Sequence, residues 1–382
     1  MAYTDTYITR VAKFLPNDPV FNEEMEEYLG YINGKASKSK AIVLRNNGIK
    51  RRFYATTKEG TPTHTNAELA SLAIRGLFKN NPGEIGEIDL LSCATSSPDQ
   101  LMPSHGVMVH GYLPETRNIE VVSPSGVCCA GMHALKYAYM SVKLGERKMA
   151  VSCASERLSP VLQSDQFEDE VQQLVKLEQN PFIAFEKDFL RWMLSDGAGA
   201  VLVQDKPNET GISLKIDWIE GCSFANNEDP CMYMGSDKTL DGTLKSYKDF
   251  DQNSVLEKSI FSIKQDVKLL GDKIVKLGFT NMMEILTRRG VSMEDVNYFL
   301  PHLSSYFFEK KIDDFFKENG LEIPKEKWYT NLVSVGNVGA ASIYMMLEEI
   351  FSCGALKKGE KILLAVPESA RFSYMFCMLT VV

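Results

Sequence analysis

The chain has 382 residues, 44% of them apolar and 24% charged, and its formal net charge is −8. This composition excludes a mainly disordered, collagen-like or coiled-coil chain, and the acidic balance argues against a nucleic-acid partner. No apolar run approaches the roughly 20 residues that cross a bilayer. The N-terminus lacks the pattern of a signal peptide, so we expect a cytoplasmic protein with no membrane partner. The eight cysteines form no CxxC pair, which predicts reduced thiols and no metal site.

Short apolar runs alternate with longer helix-forming stretches along the chain. This alternation predicts an α/β protein whose sheets are covered by helices. In chain order, the predicted strands are 88–93, 119–122, 149–153, 199–204, 296–300 and 361–367. The longer helical stretches are 65–79, 130–144, 252–277 and 340–351.

A weak internal repeat runs through the chain. The segments DLLSCATSS and NYFLPHLSS are both apolar runs that end in Ser-Ser, and their alignment places Ala94 opposite His302. Thirty-five residues beyond these two positions lie Cys129 and Asn337, each in a glycine-containing turn before a run of small residues. In both copies, a Gly-Glu-basic tripeptide and an apolar strand follow. The repeat predicts a duplicated chain of two fused halves. These halves are residues 1–205 and 206–382.

Cys129 is the leading candidate for a nucleophile. It lies in PSGVCCAGMHAL, where a turn leads into a predicted helix. The positive end of a helix dipole favours a thiolate, and the free N–H groups there stabilise an oxyanion on an attacked carbonyl. The alternative is that Cys128 and Cys129 are only small buried hydrophobic residues.

A thiolate nucleophile usually works with an imidazole, and two histidines compete for this role. His133 lies four residues after Cys129, on the same helix face. His302 follows a predicted strand, where open α/β sheets place functional groups, and the repeat favours it. By the same repeat Asn337 completes the set, although an asparagine at a helix start is often only a cap.

Two further features have more than one interpretation. The basic cluster Lys50, Arg51 and Arg52 is either solvated surface or a site for a phosphate-bearing ligand. Glu156 follows a predicted strand and is either a polar interface residue or an additional acid near the site. The motifs GxSxG and HExxH are absent, which removes α/β-hydrolase and zincin interpretations.

The motifs CCAGM around Cys129, PH at His302, SVGNVGAASI around Asn337 and DGAGA resemble the ketoacyl synthase III group of the thiolase superfamily. The likeness covers nearly the whole chain. It implies a thiolase-like αβαβα fold of five layers with duplicated halves, a homodimer, and no metal or organic cofactor. It also implies that Cys129 is acylated from a coenzyme A or acyl carrier protein thioester. His302 and Asn337 would then stabilise the enolate and oxyanion of a Claisen-type condensation.

Several departures from the family pattern concern substrate contacts. Ser305 replaces an asparagine that follows the catalytic histidine, and the sequence ESARFSYM replaces a glycine-rich loop. In that loop, the backbone N–H of Ala370 is a candidate oxyanion donor, and the bulk of Arg371 and Phe372 is expected to reshape the acyl pocket. Residues 159–195 form a longer connection than the family usually has.

The long connection and altered loop look most like the ketosynthase-cyclases of dialkylresorcinol and flexirubin-type pigment pathways. That likeness implies joining of two acyl thioesters, one of them β-keto, and closure of a 1,3-cyclohexanedione ring. Glu156 and His133 are then candidates for the additional proton transfers. Three alternatives remain: a synthase that initiates fatty-acid synthesis, a relative that transfers acyl groups to oxygen or nitrogen, and a catalytically inactive scaffold.

Overall fold

A nine-stranded mixed sheet organises the fold in the computed structural model, which describes residues 3–37, 39–166 and 190–382. Its strands, in chain order, are β1 (Tyr7–Phe14), β4 (Leu90–Ala94), β5 (Glu120–Val122), β6 (Met149–Glu156), β7 (Gly197–Gln204), β8 (Leu214–Ser223), β13 (Tyr298–Pro301), β14 (Lys361–Glu368) and β15 (Ser373–Val381). Shorter strands form three separate pairs: β2 (Val20–Phe21), β3 (Arg51–Arg52), β9 (Met232–Tyr233), β10 (Ser236–Lys238), β11 (Leu244–Ser246) and β12 (Lys264–Gln265).

The described helices are α1 (Met25–Leu29), α2 (Lys40–Asn47), α3 (Asn66–Leu77), α4 (His105–Gly111), α5 (Cys128–Lys143), α6 (Gln252–Glu257), α7 (Val267–Arg289), α8 (Phe307–Glu318), α9 (Leu332–Val335) and α10 (Ser342–Ser352). Helices α5 and α10 lie at the centre, because their apolar residues share one core with strands from both ends of the sheet. Helix α3 packs outside one end of the sheet, and α7 and α8 pack outside the other. These layers confirm the predicted thiolase-like α/β fold.

The sheet order is β13-β14-β15-β8-β1-β7-β6-β4-β5. Outward from the central β1–β8 pair, each side has two antiparallel pairings followed by parallel pairing. The β8 side has one parallel pair, β14–β13, and the β1 side has two, β6–β4 and β4–β5. The predicted halves, 1–205 and 206–382, each supply one side of this arrangement. Their origin by duplication stays a prediction.

The six predicted strands and three of the four predicted helical stretches are confirmed, with ends that move by a few residues. The continuous helix predicted for 252–277 was wrong. Helix α6 ends early, Ser259 takes a left-handed φ of 45°, and α7 begins only after Asp266. The Asp266 side chain accepts the Leu269 N–H at 2.9 Å, so the acidic residue caps a new helix.

The predicted long connection at 159–195 lies mostly outside the described residues. Its first residues include a short 3-10 turn, Ser159–Leu162. Within the described ranges, no helix combines the length and apolar character needed to cross a bilayer.

Candidate active site

Cys129 is the second residue of α5 and lies against the end of β14. Its side chain is buried, and the thiol donates to the carbonyl oxygen of Val366 at 3.2 Å. Small residues make this position possible: a Cβ on Gly131 would lie 2.3 Å from the Ala340 carbonyl oxygen. The CCAGM sequence therefore lets the start of α5 enter the centre of the fold.

The Cys129 thiol is held in its protonated form. Burial raises the pKa of Cys129 well above its usual value, and the nearby charge of Glu368 raises it further. The sequence predicted a helix terminus that favours the thiolate. The terminus is present, but burial and the Glu368 carboxylate act in the opposite direction.

Glu368, the last residue of β14, is a site residue that the sequence interpretation missed. Its Oε2 accepts the backbone N–H groups of Val127 at 3.0 Å and Cys129 at 2.9 Å. The carboxylate therefore covers the N-terminus of α5, where the sequence predicted oxyanion donors. The available signal was the acidic residue in PESARFSYM, a segment recognised only for its missing glycines.

His302 directly follows β13, and its backbone N–H donates to the Ala365 carbonyl at 2.8 Å. The next residue of β14, Val366, accepts the hydrogen bond from the Cys129 thiol. Consecutive residues of β14 therefore contact the two predicted catalytic residues. His302 is buried, and its Nε2 has no hydrogen-bond partner among the described residues. Burial lowers the pKa of His302 to about 4, which keeps the imidazole neutral near pH 7.

Asn337 lies in the turn between α9 and α10 and is also buried. Its backbone N–H donates to Met193 at 3.0 Å, and its Oδ1 accepts the Gly339 N–H at 3.0 Å. With that oxygen engaged, the amide nitrogen is the side-chain donor. The same turn continues to Ala340, whose carbonyl packs on Gly131 of α5. The fold thus brings the Asn337 turn against the helix that carries Cys129.

Glu156 joins three segments of the protein. Its buried carboxylate accepts hydrogen bonds from the hydroxyl groups of Thr95, Ser96 and Ser97 and from the backbone N–H groups of Ser96 and Ala340. Burial raises the pKa of Glu156, and these hydrogen bonds oppose that shift. The contacts give Glu156 a structural function at the Asn337 turn; proton transfer by this residue stays a prediction.

The basic cluster divides into two exposed residues and one buried residue. Lys50 and Arg51 are exposed beside α9, and Arg51 Nε donates to the Ser334 carbonyl at 2.8 Å. Arg52 is fully buried, with its guanidinium bonded to the Trp192 carbonyl and to Asn22. The proposed phosphate contact therefore needs correction at Arg52, because its donors are committed inside the protein.

Ser305 and His133 occupy different surroundings. Ser305 is buried, and its Oγ accepts the Phe307 N–H at 3.2 Å where α8 begins. This contact caps a helix, while binding of substrate by Ser305 stays a prediction. His133 is exposed on α5, one turn beyond Cys129.

The altered loop after β14 holds the other predicted substrate contacts. The Ala370 carbonyl accepts the N–H groups of Cys231 at 2.8 Å and Met232 at 3.2 Å, which ties the loop to β9. Arg371 is exposed, and Phe372 is buried in the core beneath α7 and α8. The bulky side chain of Arg371 therefore lies at the surface, and that of Phe372 lies in the core. Oxyanion binding by the Ala370 N–H stays a prediction.

An apolar cavity of about 780 Å³, including its open mouth, lies under α7 and α8. Cys128, His302 and Ser369 lie in its wall, so the cavity reaches the start of α5 and the predicted histidine. Most of the remaining lining is aliphatic or aromatic: Leu270, Ile274, Val275, Phe279, Met282, Phe299, Leu303, Phe308, Ile312, Phe316, Tyr374 and Phe376. Such a wall suits an alkyl chain.

Comparison with known proteins agrees with this geometry. Residues 286–367 match the family model of the 3-oxoacyl-[acyl-carrier-protein] synthase III C-terminal region. Beta-ketoacyl-[acyl-carrier-protein] synthase III of Clostridium perfringens is 26% identical over 354 residues, which are 92% of each chain. The same-named enzyme of Aliarcobacter butzleri is 24% identical over 92% of this chain and 91% of its own.

Solved structures show the same fold. The tetronic acid condensing enzyme AbyA1 has a TM-score of 0.77 and 18% identity, over 98% of this chain and 99% of its own. OleA of Xanthomonas campestris, solved with lauric acid and lauroyl-CoA, has a TM-score of 0.74 and 18% identity over 99% of both chains. The chain is therefore similar to the ketoacyl synthase III group over nearly its whole length, and it is an acyltransferase with a thiolase-like fold.

Proposed function

We propose that this enzyme joins two acyl thioesters, one of them β-keto, and closes a 1,3-cyclohexanedione ring of the kind found in dialkylresorcinol biosynthesis. The observation that carries the proposal is the apolar cavity that reaches both Cys128, next to the nucleophile, and His302. A cavity of this lining removes an alkyl chain from water beside the reacting groups. The sequence resemblance supplies the ring-forming part of the proposal.

In the first step, the Cys129 sulfur attacks the thioester carbonyl. The acyl group moves to Cys129, and the coenzyme A or carrier thiol leaves with the proton. The start of α5 supplies backbone N–H groups for the oxyanion that forms during the attack. An acyl carrier protein or coenzyme A is the proposed donor.

In the second step, C2 of the β-ketoacyl thioester loses a proton and attacks the acyl carbonyl, which expels the Cys129 thiolate. The neutral imidazole of His302 has an unengaged Nε2 for the enolate or the transferred proton. The amide nitrogen of Asn337 is the second donor, since its Oδ1 is bonded to Gly339. Ring closure balances when the acyl group on Cys129 is α,β-unsaturated. C4 of the β-ketoacyl unit then loses a proton and adds to C3 of that acyl group, the C2–C3 π bond is consumed, and C2 takes up a proton, so no group leaves. This scheme assigns no step to a metal or organic cofactor.

We also propose a homodimer. Strand β5 lies at the end of the sheet order, and α4 packs beside it. Leu101, Met102 and Val107, which precede or belong to α4, have exposed fractions of 77%, 85% and 49%. An edge strand next to apolar side chains is a suitable surface for pairing with a second copy.

Mass spectrometry after incubation with acyl-CoA and acyl carrier protein thioesters tests the acylation. We expect an acyl adduct on Cys129, loss of that adduct in Cys129→Ala, and its retention in Cys128→Ala. Cys128 is the matched control because it is the adjacent thiol on the same helix and is also buried. Normal turnover by Cys129→Ala would contradict the proposed nucleophile.

Product analysis with a β-ketoacyl partner tests the remaining steps. A cyclic diketone supports the full proposal. A linear condensed product would contradict ring closure on this enzyme, and an ester or amide would contradict carbon–carbon bond formation.

A further inference from the structure

The carboxylate of Glu368 lies at the N-terminus of α5, beside Cys129. A single oxygen, Oε2, accepts both the Val127 N–H at 3.0 Å and the Cys129 N–H at 2.9 Å. Val127 is the residue just before α5 and Cys129 is in its first turn, where the N–H groups have no partner within the helix. A negative charge is favoured there by the helix dipole.

The cap comes from a distant part of the chain. Val127 precedes α5, and its own side chain makes no capping hydrogen bond. Glu368 lies 239 residues beyond Cys129 and ends the strand whose Val366 carbonyl accepts the Cys129 thiol. Thus the end of β14 contacts both the backbone donor and the sulfur of the same cysteine.

These contacts describe a restrained nucleophile. The thiol proton is directed to the Val366 carbonyl, while Nε2 of His302 has no hydrogen bond among the described residues. The N–H of Cys129 is engaged by an anion, so it is not available to polarise a thioester. Glu368 is partly exposed, which gives its side chain space in which to leave this position.

We infer that Glu368 is a positioning residue that covers the oxyanion donors of α5 in the free enzyme and must leave them when an acyl thioester binds. The inference deepens the proposed acylation of Cys129 and rests on it. While the carboxylate is in place, its charge opposes formation of the thiolate. Once the thioester oxygen takes the two N–H groups, the same donors stabilise the developing oxyanion.

Other titratable groups besides Glu368 lie around the start of α5. Cys128 on α5 and Cys222 on β8 raise the pKa of Cys129 further. The others are His133 on α5, Tyr374 on β15, His302 after β13, and Glu156 on β6, which acts on Cys128. Because these groups stay unchanged in a Glu368 variant, the difference between variant and wild type isolates the contribution of Glu368.

The experiment compares iodoacetamide alkylation of Cys129 in the full chain over a range of pH, with the modified cysteine identified by mass spectrometry. Glu368→Gln keeps the size of the side chain and removes its charge. We expect its alkylation midpoint to fall by about one pH unit, which gives about tenfold faster labelling below both midpoints. Glu368→Ala removes the cap altogether and should shift the midpoint in the same direction.

Glu326→Gln is the matched control, because it removes one negative charge from an exposed position outside the site. It should leave the midpoint at the wild-type value. If Glu368→Gln and Glu368→Ala both label with the wild-type midpoint and rate, the inference is wrong.

A second measurement tests whether Glu368 only covers the N–H groups of α5 or is itself required for the reaction. In single-turnover acylation, Glu368→Gln should acylate at least as fast as wild type at limiting thioester. A tenfold or greater loss would overturn the inference. Alkylation uses no thioester, so failure of wild type to be acylated would refute the proposed function and leave the alkylation comparison intact.

Discussion

Replacement of Gly131 by alanine is expected to disturb the contact between the two predicted catalytic segments. Gly131 lies two residues after Cys129, and the Asn337 turn crosses it at Ala340. A Cβ at Gly131 would lie 2.3 Å from the Ala340 carbonyl oxygen and 3.0 Å from a ring carbon of Tyr344. The first neighbour is backbone, so rotation of a side chain cannot relieve the contact.

The magnitude follows from the required displacement. An ordinary contact of about 3.4 Å is roughly 1 Å longer than the available space, so the turn or the helix must move by about that distance. Overpacking of this kind costs about 1–3 kcal/mol, which outweighs the gain of up to about 1 kcal/mol from alanine in a helix. A misplacement of about 1 Å at reacting groups can lower activity about 100-fold.

Chemical denaturation measures the stability, and single-turnover acyl transfer measures the activity. The control is Gly111→Ala at the exposed end of α4, where a new Cβ would meet no atom within 4 Å among the described residues. We expect Gly131→Ala to be less stable than the control and much less active. Equal stability and activity in the two variants would refute the close approach of α5 and the Asn337 turn.

The remaining predictions concern pH and assembly. Burial gives His302 a pKa of about 4 in the folded protein, against 6.5 in the unfolded chain. Above pH 6.5 the imidazole is neutral in both states. As pH falls from 6.5 to 4, the unfolded chain takes up the proton first, so the free energy of unfolding decreases. The decrease is about 3 kcal/mol. Denaturation curves should therefore show a smaller loss of stability at acid pH in His302→Gln than in wild type. An equal loss in the two proteins would contradict the burial of His302. For the dimer, sedimentation velocity should show weaker association for Met102→Glu than for Leu240→Glu. Leu240 is an exposed residue on the turn between β10 and β11, which form a separate two-stranded sheet. A monomeric wild-type protein would disprove that assembly.

Much of the fold was predictable because its signals are local. Apolar runs between helix-forming stretches located the strands, and the glycine and small residues after Cys129 located a helix that can be buried. The predicted helix over 252–277 failed because periodicity continued through a turn at Ser259 and a new cap at Asp266. Caps and turns are decided by single residues, which weigh little in a pattern of many.

The candidate site was predictable where residues follow one another in the chain, and less so where they meet only in space. Arg52 had the same sequence signal as Lys50 and Arg51, yet the fold buries it beneath the Trp192 carbonyl. Its guanidinium has a pKa lowered to about 10 by burial, so it remains charged near pH 7. No local pattern distinguishes such an arginine, because the acceptors that satisfy it are supplied by another segment.

Glu368 extends this reasoning from structure to reactivity. The sequence places Cys129 at a helix start, and a helix start alone favours a thiolate. The fold adds two effects that disfavour the thiolate, burial and the charge of the carboxylate, and both raise the pKa of the thiol. Burial is required to hold an alkyl chain away from water, whereas the carboxylate can move. The burial of Cys129 does not change as long as the cavity is intact. The reactivity of Cys129 is therefore controlled by Glu368, which binds the same N–H groups that the reaction needs.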